Sequence, residues 1–453
     1  MNSLYAQHAY LPQGWVDNVR LTWNSDGDLS AIEENAQALA GEKIARFVVP
    51  GMTNLHSHAF QRAMAGLTEM AGDSKDSFWT WRDLMYRTAL HITPEQIQAI
   101  AAQLYSECLR HGYTSVCEFH YLHRDVDGHF YANPAEMAER VIAAANMAGM
   151  GISMLPVLYS YADFGEIALR HDQRRFATDA NEIMDLIQAL ERQRNHQVEI
   201  GVAPHSLRAA SIAQIHHIQS ALPNRRPIHI HIAEQQKEVD VCIAFSGKRP
   251  VELLLDSGLV DQRWCLVHAT HLNAAEVQGI AASGAVAGIC TTTEGNLGDG
   301  FFSLPDYIAA GGRFGIGSDS HVSQSPVEEL RWLEYGQRLR LQGRNIATNV
   351  AQRRVGDFLW DAALSGGAQA SGRPVGKLAL AHRADMLVLD DTHPNLAGIT
   401  SRDVLNTWIF AGNDQLVRDV YVGGKQVVQS GRHVHQAQIQ AAYGECMRTL
   451  RSL

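Results

Sequence analysis

The sequence has no Cys-x-x-Cys pair, no long run of Lys and Arg, and no apolar stretch unbroken for the length of a membrane-spanning helix. Each absence removes a class of function. The six cysteines (Cys108, Cys117, Cys242, Cys265, Cys290, Cys446) are scattered through apolar contexts, which speaks against a disulfide scaffold or a Cys-based zinc module and reads as reduced core residues. Without clustered cations, and with a net charge of -10 at 19% charged residues, no nucleic-acid or membrane surface is expected, and the partner is a small molecule. Met1 to Trp15 lacks a basic segment followed by an apolar one, so the expectation is a soluble, cytoplasmic protein.

What is present is a chain of 453 residues with 46% hydrophobic content, enough to bury one large catalytic domain and a smaller one. Eight short apolar or alternating runs recur, each followed by a polar turn and a helical period: 47–56, 114–120, 151–160, 198–205, 227–233, 264–269, 285–292 and 313–319. The intervening helices carry start signals. Thr93-Pro94-Glu95-Gln96 offers N-cap, N1 and N3 residues, and Ser325-Pro326-Val327-Glu328 repeats the arrangement ahead of an amphipathic stretch to about Leu341. Strands alternating with helices imply a parallel sheet, and eight repeats imply closure into a (β/α)8 TIM-like barrel. The ends hold shorter β-like pieces, such as 384–389 and 417–422, with Gly423-Gly424 as a turn. Neither end closes a core alone. The expected α/β architecture is therefore a barrel of residues 49–375 beside a discontinuous β-sandwich built from residues 1–48 and 376–453.

Histidine is abundant, at 22 residues, so spacing must carry any argument for a site. Asn54-Leu55-His56-Ser57-His58 ends the first predicted strand, and alternation places Asn54, His56 and His58 on one face. Taken alone in a His-rich chain, such a pair is more often two exposed polar residues at a strand end than a metal site. Ile228-His229-Ile230-His231-Ile232-Ala233-Glu234 puts isoleucines outward and His229 and His231 inward, with Glu234 on the loop beyond, where a carboxylate can shuttle protons without binding metal. A capping Glu beside satisfied core histidines is the lesser alternative, because an inward-facing His is costly to bury without a partner. Phe314-Gly315-Ile316-Gly317-Ser318-Asp319 sets an Asp at the end of the eighth strand, behind glycines expected to leave room for a ligand. Leu266-Val267-His268 ends the sixth, and His271 falls on the loop past it. Four signals at the same end of strands one, five, six and eight point together to a metal site of His56, His58, His231 and Asp319.

These motifs, across residues 46–330, resemble the mononuclear deaminase branch of the amidohydrolase superfamily. The fourth run, Val198-Glu199-Ile200-Gly201-Val202-Ala203-Pro204-His205, has no Lys to bridge two metals, which favours one. Within that branch, several stretches are similar to the formimidoylglutamate deiminase family: Asn54 to Met64, Ser77 to Arg82, Glu118-Phe119-His120-Tyr121, His205-Ser206-Leu207-Arg208 and His231 to Glu238. The resemblance implies hydrolysis of N-formimidoyl-L-glutamate to N-formyl-L-glutamate and ammonia, a step of histidine degradation, by attack of a metal-bound hydroxide on the formimidoyl carbon. It also implies roles. Asp319 orients and deprotonates the water, His268 hydrogen-bonds it, and Glu234 delivers a proton to the departing amine. Gln61, Arg82, Tyr121, His205 and Arg208 bind the dicarboxylate. Zn²⁺ leads among the divalent metals, although Fe²⁺, Co²⁺ and Mn²⁺ also suit three imidazoles and a carboxylate.

Two arginines, expected on loops after the first and fourth strands, independently suit a dianionic substrate, because a guanidinium grips a carboxylate through two parallel hydrogen bonds. Either one is also compatible with a surface ion pair, a reading that fits Arg62 and Arg87 better. Trp79 and Trp81 are expected to pack their loop, which could act as a lid. The rivals are a deaminase of guanine, an adenosine derivative or another flat C=N substrate, and a catalytically silent binding barrel. A metallopeptidase lacks support, since no His-Glu-x-x-His occurs. Relatives suggest a possible homodimer, and the helix near Trp332 and Tyr335 is either its interface or core.

Overall fold

The computed structural model describes residues 2–70 and 78–452, without the side chains of residues 78–80. Trp79 therefore lies outside the described side chains. Eight barrel strands follow in chain order: Met52–Ser57, Tyr113–His120, Gly151–Leu158, Val198–Ile200 continued by Ala203–Pro204, Ile228–Ile232, Trp264–His268, Val286–Ile289 and Arg313–Ile316. They pair in parallel as two open arcs. Two seams close the ring. Val202 bridges to Ile228 between the fourth and fifth strands, and Ser57 bridges to Asp319 between the eighth and first. The second seam is itself functional ground, because Asp319 N donates to His56 O at 3.0 Å and His58 N to Asp319 O at 3.4 Å.

The helices start where their caps dictate. Thr93 and Gln96 form a reciprocal capping box at the head of Pro94–His111, and the Ser325 hydroxyl accepts from Glu328 N ahead of Pro326–Leu341. On that last helix Trp332 is 52% and Tyr335 38% exposed, so neither is core. The helix Val355–Ser371 packs against the eighth and first strands at very short range. Gly315 and Gly366–Gly367 permit this, since a Cβ on Gly366 would meet Phe314 O.

The chain ends form one hydrogen-bonded ribbon of eight strands in the order 432–433, 425–429, 417–422, 386–389, 43–50, 3–11, 14–23, 29–33. The ribbon curls on itself, with Leu29 N donating to His382 O at 2.8 Å and Trp23 lying over the Gly423-Gly424 turn, where left-handed glycines leave no side chain in its way. The enclosed face buries Leu4, Ala6, Val19, Leu21, Met386 and Val388 as a core separate from that of the barrel. Strand 43–50 stays in this sheet to Pro50, so the run read as 47–56 is two strands in two sheets, divided at Gly51. The C-terminal stretch is not all sheet. Its last helix, Gln436–Leu450, packs on Pro94–His111 of the barrel.

Candidate active site

The carboxyl ends of the strands gather the predicted residues at one mouth. His56, His58, His231 and Asp319 are buried, and their ligand-type atoms all lie within 4.8 Å of one another. His56 Nε2 is 3.1 Å from His58 Nε2 and 2.9 Å from His231 Nε2, while Asp319 Oδ1 is 3.4 Å from the first and 3.3 Å from the second. The outer nitrogens fix these rings. His58 Nδ1 faces Phe119 O at 2.9 Å and His231 Nδ1 faces His205 O at 3.1 Å, so each donates its proton there and turns an Nε2 lone pair inward. Lone pairs facing each other at such distances repel unless a cation lies between them. Burial pushes His56 down to about 3 and lowers His58 and His231 too, keeping all three in the neutral form that binds metal. For Asp319 burial opposes ionisation, but His56, His268 and His58 hold it below the usual carboxylate range. The donor set thus fits a divalent cation.

Simple alternation did not build this cluster. Leu55, not Asn54, faces the barrel interior, packing with Cys265, Val267 and Val286, whereas Asn54 pairs with Ser318 through both its amide atoms. A register shift between Asn54 and Ser57 then brings His56 round to the inside. The sixth strand needs a similar device. Val267 already faces inward, and a left-handed backbone at His268 (φ 68°) turns the next ring in as well. Ala233, Ala269, Asp319 and His321 share that conformation at the same rim, costing roughly 1–3 kcal/mol each for residues other than glycine. The glycines of the eighth strand do not leave ligand space: Leu55 fills the position of a Gly315 side chain, and His56 that of Gly317.

Glu234 and His268 stand beside the cluster. His268 Nε2 lies 3.7 Å from Glu234 Oε1 and 3.7 Å from Asp319 Oδ2. Burial alone would lower His268, but Glu234, Glu294 and Asp319 raise it well above the ordinary value. Burial lifts Glu234 to about 7. Sequence reading missed Glu294, whose Oε1 accepts from Cys290 N at 2.9 Å and faces His268 Nδ1 at 3.2 Å. The run taken as strand 285–292 stops at Ile289, and Thr291–Leu297 is a helix that carries Glu294 inward. Glu118, quoted only as part of a motif, accepts from Ser57 Oγ, Ala59 N and Tyr105 OH and so anchors the turn that holds His58.

One pocket is lined by His58, His231, Asp319, Glu234 and His268 at its floor and by Gln61, Arg82, Tyr121, His205 and Arg208 higher up. His56 lies just beneath. Gln61 Nε2 donates to Tyr121 OH at 2.7 Å, leaving its carbonyl oxygen without a hydrogen-bond partner. His205 is held neutral by burial and by the nearby charge of Arg208. Arg208 stays charged although burial opposes it, chiefly because Glu238 is close. Arg82 belongs to the helix Phe78–Ala89 rather than to a loop, and its guanidinium lies 5.5 Å from the centre of the Tyr86 ring. Trp81, Tyr86 and Tyr159 also line the pocket. For Tyr159 the missed signal was its place at the end of the third strand. Arg62 points elsewhere, into a two-pronged pair with Glu107 at 2.8 and 3.0 Å.

The amidohydrolase family model matches residues 47–427, and the model for the formimidoylglutamate deiminase HutF N-terminal domain matches residues 1–45. A formimidoylglutamate deiminase of Pseudomonas aeruginosa is 52% identical, over 99% of this chain and 100% of that protein. A crystal structure of an amidohydrolase from Brucella melitensis superposes with a TM-score of 0.95 at 45% identity over the whole of both chains. An adenosine deaminase from Xanthomonas campestris with bound zinc shares the fold alone, at TM-score 0.80 and 20% identity over 100% of this chain and 98% of that one. By sequence along its whole length and by the architecture that carries its buried His and Asp cluster, the chain belongs to the formimidoylglutamate deiminase family of metal-dependent amidohydrolases.

Proposed function

We propose that the chain hydrolyses N-formimidoyl-L-glutamate to N-formyl-L-glutamate and ammonia. One observation supports this above others: a proton-transfer pair, Glu234 and His268, shares a single pocket with two arginines and a cation-binding floor. A flat neutral ring would not call for Arg82 and Arg208 together, whereas a dicarboxylate does. On this reading His56, His58, His231 and Asp319 would hold one divalent metal, assigned as Zn²⁺, which when bound would lower the pKa of a water from 15.7 toward about 7.

The chain's own groups do the rest. Asp319, ionised by its imidazole neighbours, accepts a proton from the attacking water. His268, positively charged, hydrogen-bonds the oxygen that adds to the formimidoyl carbon. Glu234, poised near neutrality, passes a proton to the amino nitrogen, the C–N bond breaks, and ammonia leaves. Arg82, Arg208, Tyr121, His205 and Gln61 hold the glutamyl carboxylates and the amide-like nitrogen. No described helix is long and apolar enough to cross a membrane. With six buried, unpaired cysteines, we assign the enzyme to the cytoplasm. The exposed Trp332 helix face is where we place a homodimer contact, checked by solution mass. The deciding experiment is incubation of purified protein with N-formimidoyl-L-glutamate and identification of both products; release of ammonia without N-formylglutamate would overturn the assignment.

A further inference from the structure

The loop after the seventh strand brings a second carboxylate to the catalytic pair. Asp299 follows the helix Thr291–Leu297 and sits between Gly298 and Gly300, both left-handed (φ 70° and 132°), a turn that drives its side chain inward to 5% exposure. Its backbone N donates to Glu294 O at 2.9 Å, and its Oδ1 accepts from Gln235 Nε2, the residue next to Glu234. Oδ2 is buried without a hydrogen-bond partner. Carboxylate and imidazole atoms of Asp299, Glu234 and His268 lie within 4.8 Å of one another.

We propose that Asp299 is a positioning residue that shares one proton with Glu234, keeping that proton at hand for the departing amine. Two carboxyls this close, away from water, cannot both ionise, and the pair retains a proton that neither would hold alone. Burial and Glu234 both raise Asp299, and burial raises Glu234. The other charged groups facing the pair are His268 and Arg208, which favour ionisation, and Glu238, Glu294 and Asp319, which oppose it; His271 reaches only the Asp299 backbone. In the reaction Glu234 gives its proton to the amino nitrogen as the C–N bond breaks, and the proton released by the attacking water restores the pair. Asp299 touches neither substrate nor metal in this scheme.

The inference rests on the deiminase reading, and the parent enzyme tests that reading separately, by turning over N-formimidoyl-L-glutamate or not. With the parent active, Asp299→Asn leaves Glu234 as a lone acid that loses its proton earlier. The alkaline limb of the kcat profile then moves down by about one pH unit or more, with KM within about twofold and one metal per chain retained. Asp299→Glu restores the limb toward the parent position. Asp299→Ser serves as the second charge-free variant should Asn fail to fold. An unmoved limb in a folded, metal-loaded variant, or a rise in KM with kcat unchanged at every pH, would overturn the proposal.

Discussion

The floor and the wall of the pocket are built differently. At the floor, His56, His58 and Asp319 sit on strand ends whose backbones hydrogen-bond across the seam between the eighth and first strands, His231 N donates to His205 O at the other seam, and Ser57, Glu118, Ser318 and His321 link into one buried hydrogen-bond network beside them. At the wall, Arg82 rides the helix Phe78–Ala89, and Arg208 follows a two-residue strand. Rigid strand ends suit groups that must converge within a few tenths of an ångström, and loops and short helices suit groups that choose the substrate. Chemistry and selectivity are thereby separable, and substitutions at the two levels should fail in different ways.

The largest failure belongs to the floor. His231→Ala removes one of the three convergent imidazoles, so metal content should fall together with activity, the latter by about 10⁴-fold or more given what the metal does to water's acidity. Metal analysis alongside turnover checks it; a fully metal-loaded His231→Ala protein would remove that residue from the ligand set. Glu234→Gln should come next. It keeps the metal and loses about 10² to 10⁴-fold in kcat, since only the proton transfer is removed. Loss of metal in this variant would place Glu234 among the ligands instead.

The same division decides what was legible in the sequence. Motifs at strand ends were readable because eight apolar runs at regular spacing leave little choice of topology, and His-x-His, His-Ile-His and Ser-Asp on such runs must then meet at one mouth. The way they meet was not. Alternation predicted the wrong partner for His56, because a register shift, invisible to a period-two pattern, exchanges Leu55 for Asn54 on the inner face. His268 depends on one left-handed residue, and Glu294 and Asp299 on a short helix where the apolar run was read on as strand. Pro50-Gly51 was passed over as a break, although the chain changes sheets there. Periodicity reports burial along regular elements and is silent where backbone irregularity aims a side chain.

At the wall the expected failure is in binding. Arg208→Met should raise KM by about 10 to 100-fold with metal content unchanged, the range set by roughly 1.5–3 kcal/mol for hydrogen bonds to a buried charge. The same change strands Glu238, which is buried beside Arg208, so a lower melting temperature should accompany it. A variant with parental KM would take Arg208 out of the carboxylate site.

Arg62 gives the sharpest contrast, because it is one residue from Gln61 and belongs to the same motif as the floor histidines. Its guanidinium turns away from the pocket onto Glu107 of the helix Pro94–His111, at a position where both side chains keep some contact with water. Such pairs contribute about 0–1 kcal/mol. Arg62→Met should therefore leave kcat, KM and metal content within about twofold of the parent and lower stability by no more than that amount. A KM effect approaching that of Arg208→Met would mean that the wall extends to the helical turn after His58, and the separation between the two levels would fail at its most exposed point.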